Sequence, residues 1–242
     1  MTDPTHFLFF SSRVENGAVF LDKEESRHAF SVLRRAPGET IQITDGKGSI
    51  FECTILEQAS EGARCAVVKT IPAPALKKNV SVYAGLPAKE AFGELCESLA
   101  ALGASRIIPL ECEYCQDRWW LAWEKHGQRL LKKMIAGIKQ AKSAWLPHLS
   151  APQLFAGAQG EGAGAGALVL AADESGVPFI DVIDRIRDAA AVSCFVGPPG
   201  GFSPKEIDQL KSAGAVFVSL SQNRLRTEVA ALVLCGMIIA VG

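Results

Sequence analysis

From Val80 to the C-terminus, short apolar runs alternate with segments of helical period, and few architectures accept that rhythm. VSVYAGL (80–86), RIIPL (106–110), ALVLAAD (167–173), AVSCFV (191–196) and VFVSL (216–220) each read as a strand buried on both faces. Between them lie Lys89 to Leu102, with Phe92, Leu95, Cys96, Leu99 and Leu102 on one helical face, and a long helix from about Arg118 to Ser143. FIDVIDRIRDAA (179–190) and PKEIDQLKSAG (204–214) supply two further helices. Strands separated by helical crossovers return in the same direction, so the pattern predicts an α/β fold with a parallel sheet covered on both faces. The Gly/Ala-rich run after Phe155, AGAQGEGAGAGA, reads as a flexible surface loop. The last segment, VAALVLCGMIIAV (229–241), is apolar all round, which places it in a large core or a subunit interface.

Residues 1–72 have a different rhythm. FLFF, AVFL, TIQIT, SIFECTIL and RCAVVKTI are strand-like, with Asp45-Gly46 as a hairpin signal and one short helix over Glu24 to Leu33. These elements predict a small β-barrel, ending in the proline-containing stretch IPAPALKK, with a second domain over 73–242. Hydrophobic residues make up 48% of the chain, enough for two packed cores. No apolar run approaches a bilayer span, and MTDPTHFLFFSSR is unlike a signal peptide. Seven cysteines, an odd number within apolar strings, fit reduced thiols, so a soluble cytoplasmic protein is expected.

Two loops concentrate the chemistry. Gly197-Pro198-Pro199-Gly200-Gly201-Phe202-Ser203 follows one strand and enters a helix through the capping box Ser203-Pro204-Lys205-Glu206. Glycines there allow a ligand to approach the backbone, though spacing alone fits a bare tight connection equally well. The loop is neither a Walker A motif nor GxGxxG. Leu220-Ser221-Gln222-Asn223-Arg224-Leu225-Arg226-Thr227-Glu228 follows the next strand and sets two arginines, an amide, a hydroxyl and a carboxylate before the apolar helix. Arg226 and Glu228 read either as site residues or as a surface pair at the helix start.

GPPGGFSPKEI is similar to the GPEGGFS signature, and LSQNRLRTEVAA to the LG.RILRTETA signature, of the 16S ribosomal RNA (uracil-N3) methyltransferases of the SPOUT superfamily. The resemblance extends over nearly the whole chain. Arg27-His28 through Leu33-Arg34 and on to Asp45-Gly46-Lys47-Gly48 resembles the PUA-like barrel of that family, Leu102-Gly103 through Leu110 its ELGV..I.PL segment, and Lys139-Gln140 through Pro147 its EQ…R…P segment. It implies a PUA-like β-barrel followed by a trefoil-knotted α/β domain, a homodimer sharing its active sites, and S-adenosylmethionine held by backbone of three loops. By position those loops carry Ala172, Asp173 and Glu174; Gly197, Pro198, Gly200 and Gly201; and Leu220, Ser221, Asn223 and Leu225, with Leu220 and Leu225 clasping the adenine. The implied reaction methylates N3 of a uridine in 16S ribosomal RNA, with Arg226 holding the base and Thr227 and Glu228 fixing that arginine and the helix start. Pro199, Ser221, Asn223, Ser143 and Tyr114 stand where the family has glutamate, glycine, arginine, arginine and arginine. A non-catalytic ribosome-binding factor that keeps the fold is the alternative reading, with Pro199 marking lost activity.

The net charge of −1 conceals a basic stretch. Residues 117–148 hold seven Lys/Arg against Asp117 and Glu124, a local +5, together with all four tryptophans. On a helical wheel Lys125, Arg129, Lys132, Lys133 and Lys139 share an arc opposite Leu130, Leu131, Met134, Ile135 and Ile138, a pattern that suits RNA phosphates as well as a solvated helix face. Arg27, Arg34 and Arg35 are further candidate RNA contacts in the barrel. No metal site is expected: Cys112-Glu113-Tyr114-Cys115 is a lone CxxC, and His6, His28, His126 and His148 are dispersed.

Overall fold

The computed structural model describes residues 7–116, 118–162, 164 and 166–242, so His6 and Asp117 lie outside the described residues. The chain divides into two units, Met1–Ala75 with Ile135–Leu146, and Leu76–Met134 with Pro147–Gly242.

The first unit contains β1 (Leu8–Phe10), β2 (Val14–Glu15), β3 (Ala18–Leu21), α1 (Lys23–Arg27, running into a π-turn at His28–Val32), β4 (Thr40–Thr44), β5 (Ser49–Ala59) and β6 (Gly62–Pro72). Its sheet has the order β1-β4-β5-β6-β3-β2, with only the β1–β4 pair parallel. Ser11, just past β1, donates its hydroxyl to Phe20 O of β3 at 2.5 Å, so the sheet curls until its edge elements meet. Alternate strand residues, among them Phe9, Val19, Ile41, Ile43, Cys53, Ile55 and Cys65, fill the inside. His28 packs its ring on Phe7 and Phe9.

The loop Asp45–Gly48 explains why residues 135–146 join this unit. Gly48 N donates to Ala144 O at 2.9 Å and Leu146 N to Gly46 O at 2.8 Å. A Cβ on Gly48 would stand 2.4 Å from the Trp145 ring, whose indole N–H is bonded to Pro74 O. Asp45-Gly46 therefore serves a four-residue connection that receives a distant segment, and Trp145 is part of that packing.

The second unit contains β7 (Asn79–Gly85), α2 (Lys89–Leu102), β8 (Arg106–Glu111), the start of α3 (Trp123–Ala141), β9 (His148–Leu149), β10 (Gln153–Leu154), α4 (Phe155–Gly162), β11 (Ala167–Pro178), α5 (Ile183–Asp188), β12 (Ala191–Val196), α6 (Pro204–Ser212), β13 (Val216–Ser219) and α7 (Thr227–Val241). Every strand pair is parallel, in the order β10-β8-β7-β12-β11-β13, with β9 sharing the outer edge of β8. Successive residues serve opposite faces. Tyr83, Ile108, Val169 and Phe195 cluster with Phe155 and Ala158 of α4 and Leu210 of α6. The alternate residues, such as Val82 and Cys194, are equally buried on the other face, where α7 packs with α2 and α5.

One expectation is corrected. The Gly/Ala-rich run is helical over Phe155–Gly162: Phe155, Ala158 and Gly162 recur on one face, and a Cβ on Gly162 would sit 2.8 Å from the Phe195 ring. Tertiary packing here overrides a weak local propensity. The all-apolar helix buries Ala230, Ala231, Leu234, Cys235 and Ile238, yet leaves Val229 39% exposed and Leu232, Val233, Met237 and Ile239 half-buried. Among the described residues no helix is long and apolar enough to cross a membrane.

Candidate cofactor and RNA site

Two loops leave the C-terminal ends of β12 and β13, the edge at which parallel sheets bind ligands, and a third bulges from within β11. After β12, Gly201 N donates to Pro198 O at 2.8 Å and closes a tight turn. Gly200 and Gly201 have φ of +118° and +80°, which side-chain-bearing residues rarely adopt. A Cβ on Gly201 would meet nothing within 4 Å, so open space adjoins this backbone. Gly197 has no such room: a Cβ there would stand 2.8 Å from Gly201 C. The loop ends in the expected capping box, with Ser203 N bonded to the Glu206 carboxylate at 2.8 Å and Glu206 N to Ser203 Oγ at 3.4 Å. The other Glu206 oxygen accepts Glu113 N at 2.8 Å, tying this helix start to the turn beyond β8.

Gly85, at the end of β7, is a site residue that sequence reading missed. A Cβ there would lie 2.3 Å from Pro198 N and 2.8 Å from Gly197 C, so the glycine loop rests directly on the β7 backbone. The only signal was a glycine inside an apolar strand, which marks a close backbone approach.

The loop after β13 is joined to this turn by Thr227, whose buried hydroxyl donates to Gly197 O at 2.9 Å. Thr227 is thus a clamp between two loops. Leu220 and Leu225 are half-buried, while Ser221, Asn223 and Arg224 are exposed. Ser221 Oγ accepts Asn223 N at 3.1 Å and shapes the loop. Arg226 occupies the N-cap of α7 with extended backbone; its side chain is 86% exposed and reaches Glu228 only at 4.0 Å. That guanidinium is therefore available to a ligand.

The third loop interrupts β11. The register against β13 shifts between Ala172 and Val177, and Asp173 folds the bulge by accepting Ser175 N at 2.9 Å and Ser175 Oγ at 2.6 Å. Glu174 pairs with Arg224 at 3.6 Å, an exposed contact that contributes little energy. The three loops predicted to hold one ligand are therefore neighbours.

The candidate RNA residues separate into two groups. Lys139 forms an ion pair with Glu25 with both side chains mostly buried, and Arg35 is buried beside Glu39 at 3.5 Å. Both are structural cations, against the expectation from charge pattern. Lys125, Arg129, Lys132, Arg27 and Arg34 are exposed. Lys133 pairs with Glu97 at 3.5 Å yet lines a shallow groove between α2 and α3, with Lys89, His126 and Arg129 beside it. Lys89 and His126 carried no local signal. Trp120 is buried, and Trp119 donates to Pro87 O at 3.0 Å while packing on Phe92, Trp123 and His126. The tryptophans chiefly build the seat of α3.

The CxxC forms a tight turn in which Cys115 N donates to Cys112 O at 3.1 Å, and Cys112 N to Cys115 Sγ at 3.4 Å. The Cys112 thiol and the backbone N–H groups of Cys112 and Leu86 pull the Cys115 thiol below the ordinary thiol range, against the opposing effect of burial. Cys112 is pushed up by donating to Cys115 and by burial. Among the described residues no cluster of metal-ligating side chains occurs.

A model of RNA methyltransferase domains matches residues 74–239, and a model of RNA methyltransferase PUA domains matches residues 21–65. The chain is 29% identical over 230 residues to the ribosomal RNA small subunit methyltransferase E of Mycobacterium bovis, covering 93% of this chain and 87% of that protein. It shares its fold with a ribosomal RNA small subunit methyltransferase E from Neisseria gonorrhoeae solved with bound S-adenosyl methionine, at TM-score 0.86, 21% identity and 97% coverage of each chain. It is also similar to an RNA methyltransferase predicted for Thermotoga maritima, at TM-score 0.74, 25% identity and 97% coverage of each.

Proposed function

Because this chain belongs to the RNA methyltransferase family, we propose that it transfers the methyl group of S-adenosylmethionine to N3 of a uridine in 16S ribosomal RNA. The observation that carries the reading is the meeting of the three loops, clamped by Thr227 on Gly197 O, with open space beside Gly201 and an exposed guanidinium at Arg226. These residues fit the cofactor: glycine backbone can approach its polar groups, and half-buried Leu220 and Leu225 offer an apolar seat for the adenine. When bound, the cofactor supplies an electrophilic methyl group on a sulfonium.

The chain's own residues then have two tasks. N3 of uracil bears a proton, and its release to solvent water leaves negative charge shared by N3 and the two flanking carbonyl oxygens. Arg226 can donate to one of those oxygens from the side away from N3, stabilising the charge where it develops and leaving the N3 lone pair open to the methyl group. Thr227 fixes the arginine's backbone by anchoring the start of α7, and Glu228 lies near enough to bias the guanidinium. RNA is engaged through the exposed cations Lys125, Arg129 and Lys132 on α3 and Arg27 and Arg34 of the PUA-like unit, which suit phosphates, with half-buried Lys133 lining the groove beside them. We read the loop arrangement as the trefoil knot of the SPOUT superfamily, and the uncovered apolar face of α7 as the contact of a cytoplasmic homodimer.

The test is single-turnover methylation of unmodified small-subunit RNA, run beside a cofactor titration. Arg226→Ala should lose about 10²–10³ in rate, the usual cost of one donor at developing charge, while binding S-adenosylmethionine within a few-fold of wild type. Near-normal turnover by that variant would remove Arg226 from the mechanism. A folded wild type that ignores the cofactor would instead be a non-catalytic RNA-binding factor.

A further inference from the structure

The turn beyond β8 presents one large aromatic side chain, Tyr114, at the molecular surface. Tyr114 lies between the two cysteines, on backbone held from both sides. Cys115 N is bonded to Cys112 O, Cys112 N to Cys115 Sγ, and Glu113 N to the buried Glu206 carboxylate at 2.8 Å. The Cys115 thiol also donates to Leu110 O at 3.6 Å. Yet the Tyr114 side chain makes no hydrogen bond and no ring contact among the described residues, and the residue is 42% exposed. It stands against the glycine loop: a Cβ on Gly200 would touch Tyr114 Cβ at 3.6 Å and Cδ2 at 3.9 Å. A rigid mount that carries an uncommitted ring beside a ligand loop is an arrangement for presenting a flat surface.

Resting on the methyltransferase reading above, we propose that Tyr114 is the platform on which the target uracil stacks. The base has two kinds of recognisable surface. Its edge carries the carbonyl oxygens, one of which suits in-plane donation by Arg226; its face is an apolar π surface, which suits an aromatic ring. The two residues flank the same loop, Tyr114 at Gly200 and Arg226 through Thr227 at Gly197. A base taken out of its stack needs a replacement stacking partner, and an exposed ring on a fixed turn provides one at small entropic cost. The hydroxyl has no partner here, so the ring and not the oxygen is the functional part.

Stacking on one aromatic is lost in alanine variants at about 5- to 150-fold in affinity. The experiment measures single-turnover methylation of unmodified small-subunit RNA at subsaturating RNA and saturating S-adenosylmethionine. Tyr114→Phe should stay within about two-fold of wild type. Tyr114→Leu, which keeps apolar bulk without a flat ring, should fall about ten-fold or more, mainly through KM for RNA, with an unchanged melting temperature and unchanged cofactor affinity. The proposal is overturned if Tyr114→Leu methylates as wild type does, if Tyr114→Phe is equally defective, or if Tyr114→Leu weakens cofactor binding in step with its loss of rate. Failure of the wild type itself to methylate the RNA would strike the methyltransferase reading instead, so the two failures are distinguishable.

Discussion

Replacing Gly85 with alanine inserts one methyl group where the structure has none to spare. The new Cβ would lie 2.3 Å from Pro198 N, 2.5 Å from Pro198 Cδ and 2.8 Å from Gly197 C. Ordinary carbon contacts need about 3.5–4.0 Å, so the glycine loop must retreat by roughly 1 Å from β7. The clashing atoms are backbone and a proline ring, and no flexible side chain can yield. Gly85 is itself held in register by Leu110 of β8, so β7 cannot retreat either. Overpacking of this kind costs about 3 kcal/mol, and at 2–4 °C per kcal/mol for a chain this size the melting temperature should fall by about 6–12 °C. The displaced loop is the one proposed to adjoin the cofactor, so S-adenosylmethionine affinity should fall at least ten-fold even at a temperature where the variant is folded. Gly214→Ala, outside the three loops, is the control, since its Cβ also meets nothing within 4 Å and it incurs only the strain of φ +77°, about 1 kcal/mol. Thermal melts and calorimetric titration of both variants decide the matter. A Gly85→Ala protein that melts with the wild type and binds cofactor equally well would refute the claim that the loop rests on β7.

Three further outcomes are expected. Thr227→Val should lower stability by about 1–3 kcal/mol by stranding Gly197 O, with weakened cofactor binding, while Thr227→Ser keeps most of both in the same titration. Glutamine at Lys89, Arg129 and Lys133 together should flatten the log–log salt dependence of RNA binding by about 0.7–0.9 per lost phosphate contact; Lys139→Gln should leave the slope unchanged and lower the melting temperature, because it strips Glu25 of its partner. Alkylation should label Cys115 first, with a rate that rises at a lower pH than for an ordinary thiol, while Cys53, Cys96 and Cys235 stay protonated to about 12 through burial. Peptide mapping that finds any of those three labelled before Cys115 would contradict the arrangement of the turn.

What the sequence disclosed follows the range of the interactions involved. The parallel sheet and the two C-terminal loops were legible because strand runs, helical period and the Ser203–Glu206 box are local patterns. The role of Gly85 was not, since its neighbours Gly197 and Pro198 lie more than a hundred residues away. The same reason covers α4: its glycines and alanines signal flexibility until Phe195 is placed against Gly162. Charge counting grouped Lys139 with Arg129 because both lie on one helix arc, and Glu25, 114 residues away, is what separates them. Arg35 is likewise drawn inward by Glu39 despite a surface-like sequence context. Thr227 was legible as the start of the last helix, but its partner, a carbonyl on another loop, has no signature in sequence.

The most direct test is to identify the nucleoside that receives the methyl group. Purified protein is incubated with S-adenosylmethionine labelled in the methyl group and with small-subunit ribosomal RNA lacking the modification, and the RNA is digested to nucleosides for mass spectrometry. The account predicts label in N3-methyluridine at a single position, with the rate of labelling lowered about 10²–10³-fold by Arg226→Ala. Label on another base, or on a ribose hydroxyl, or no transfer from a protein that binds both cofactor and RNA, would contradict it.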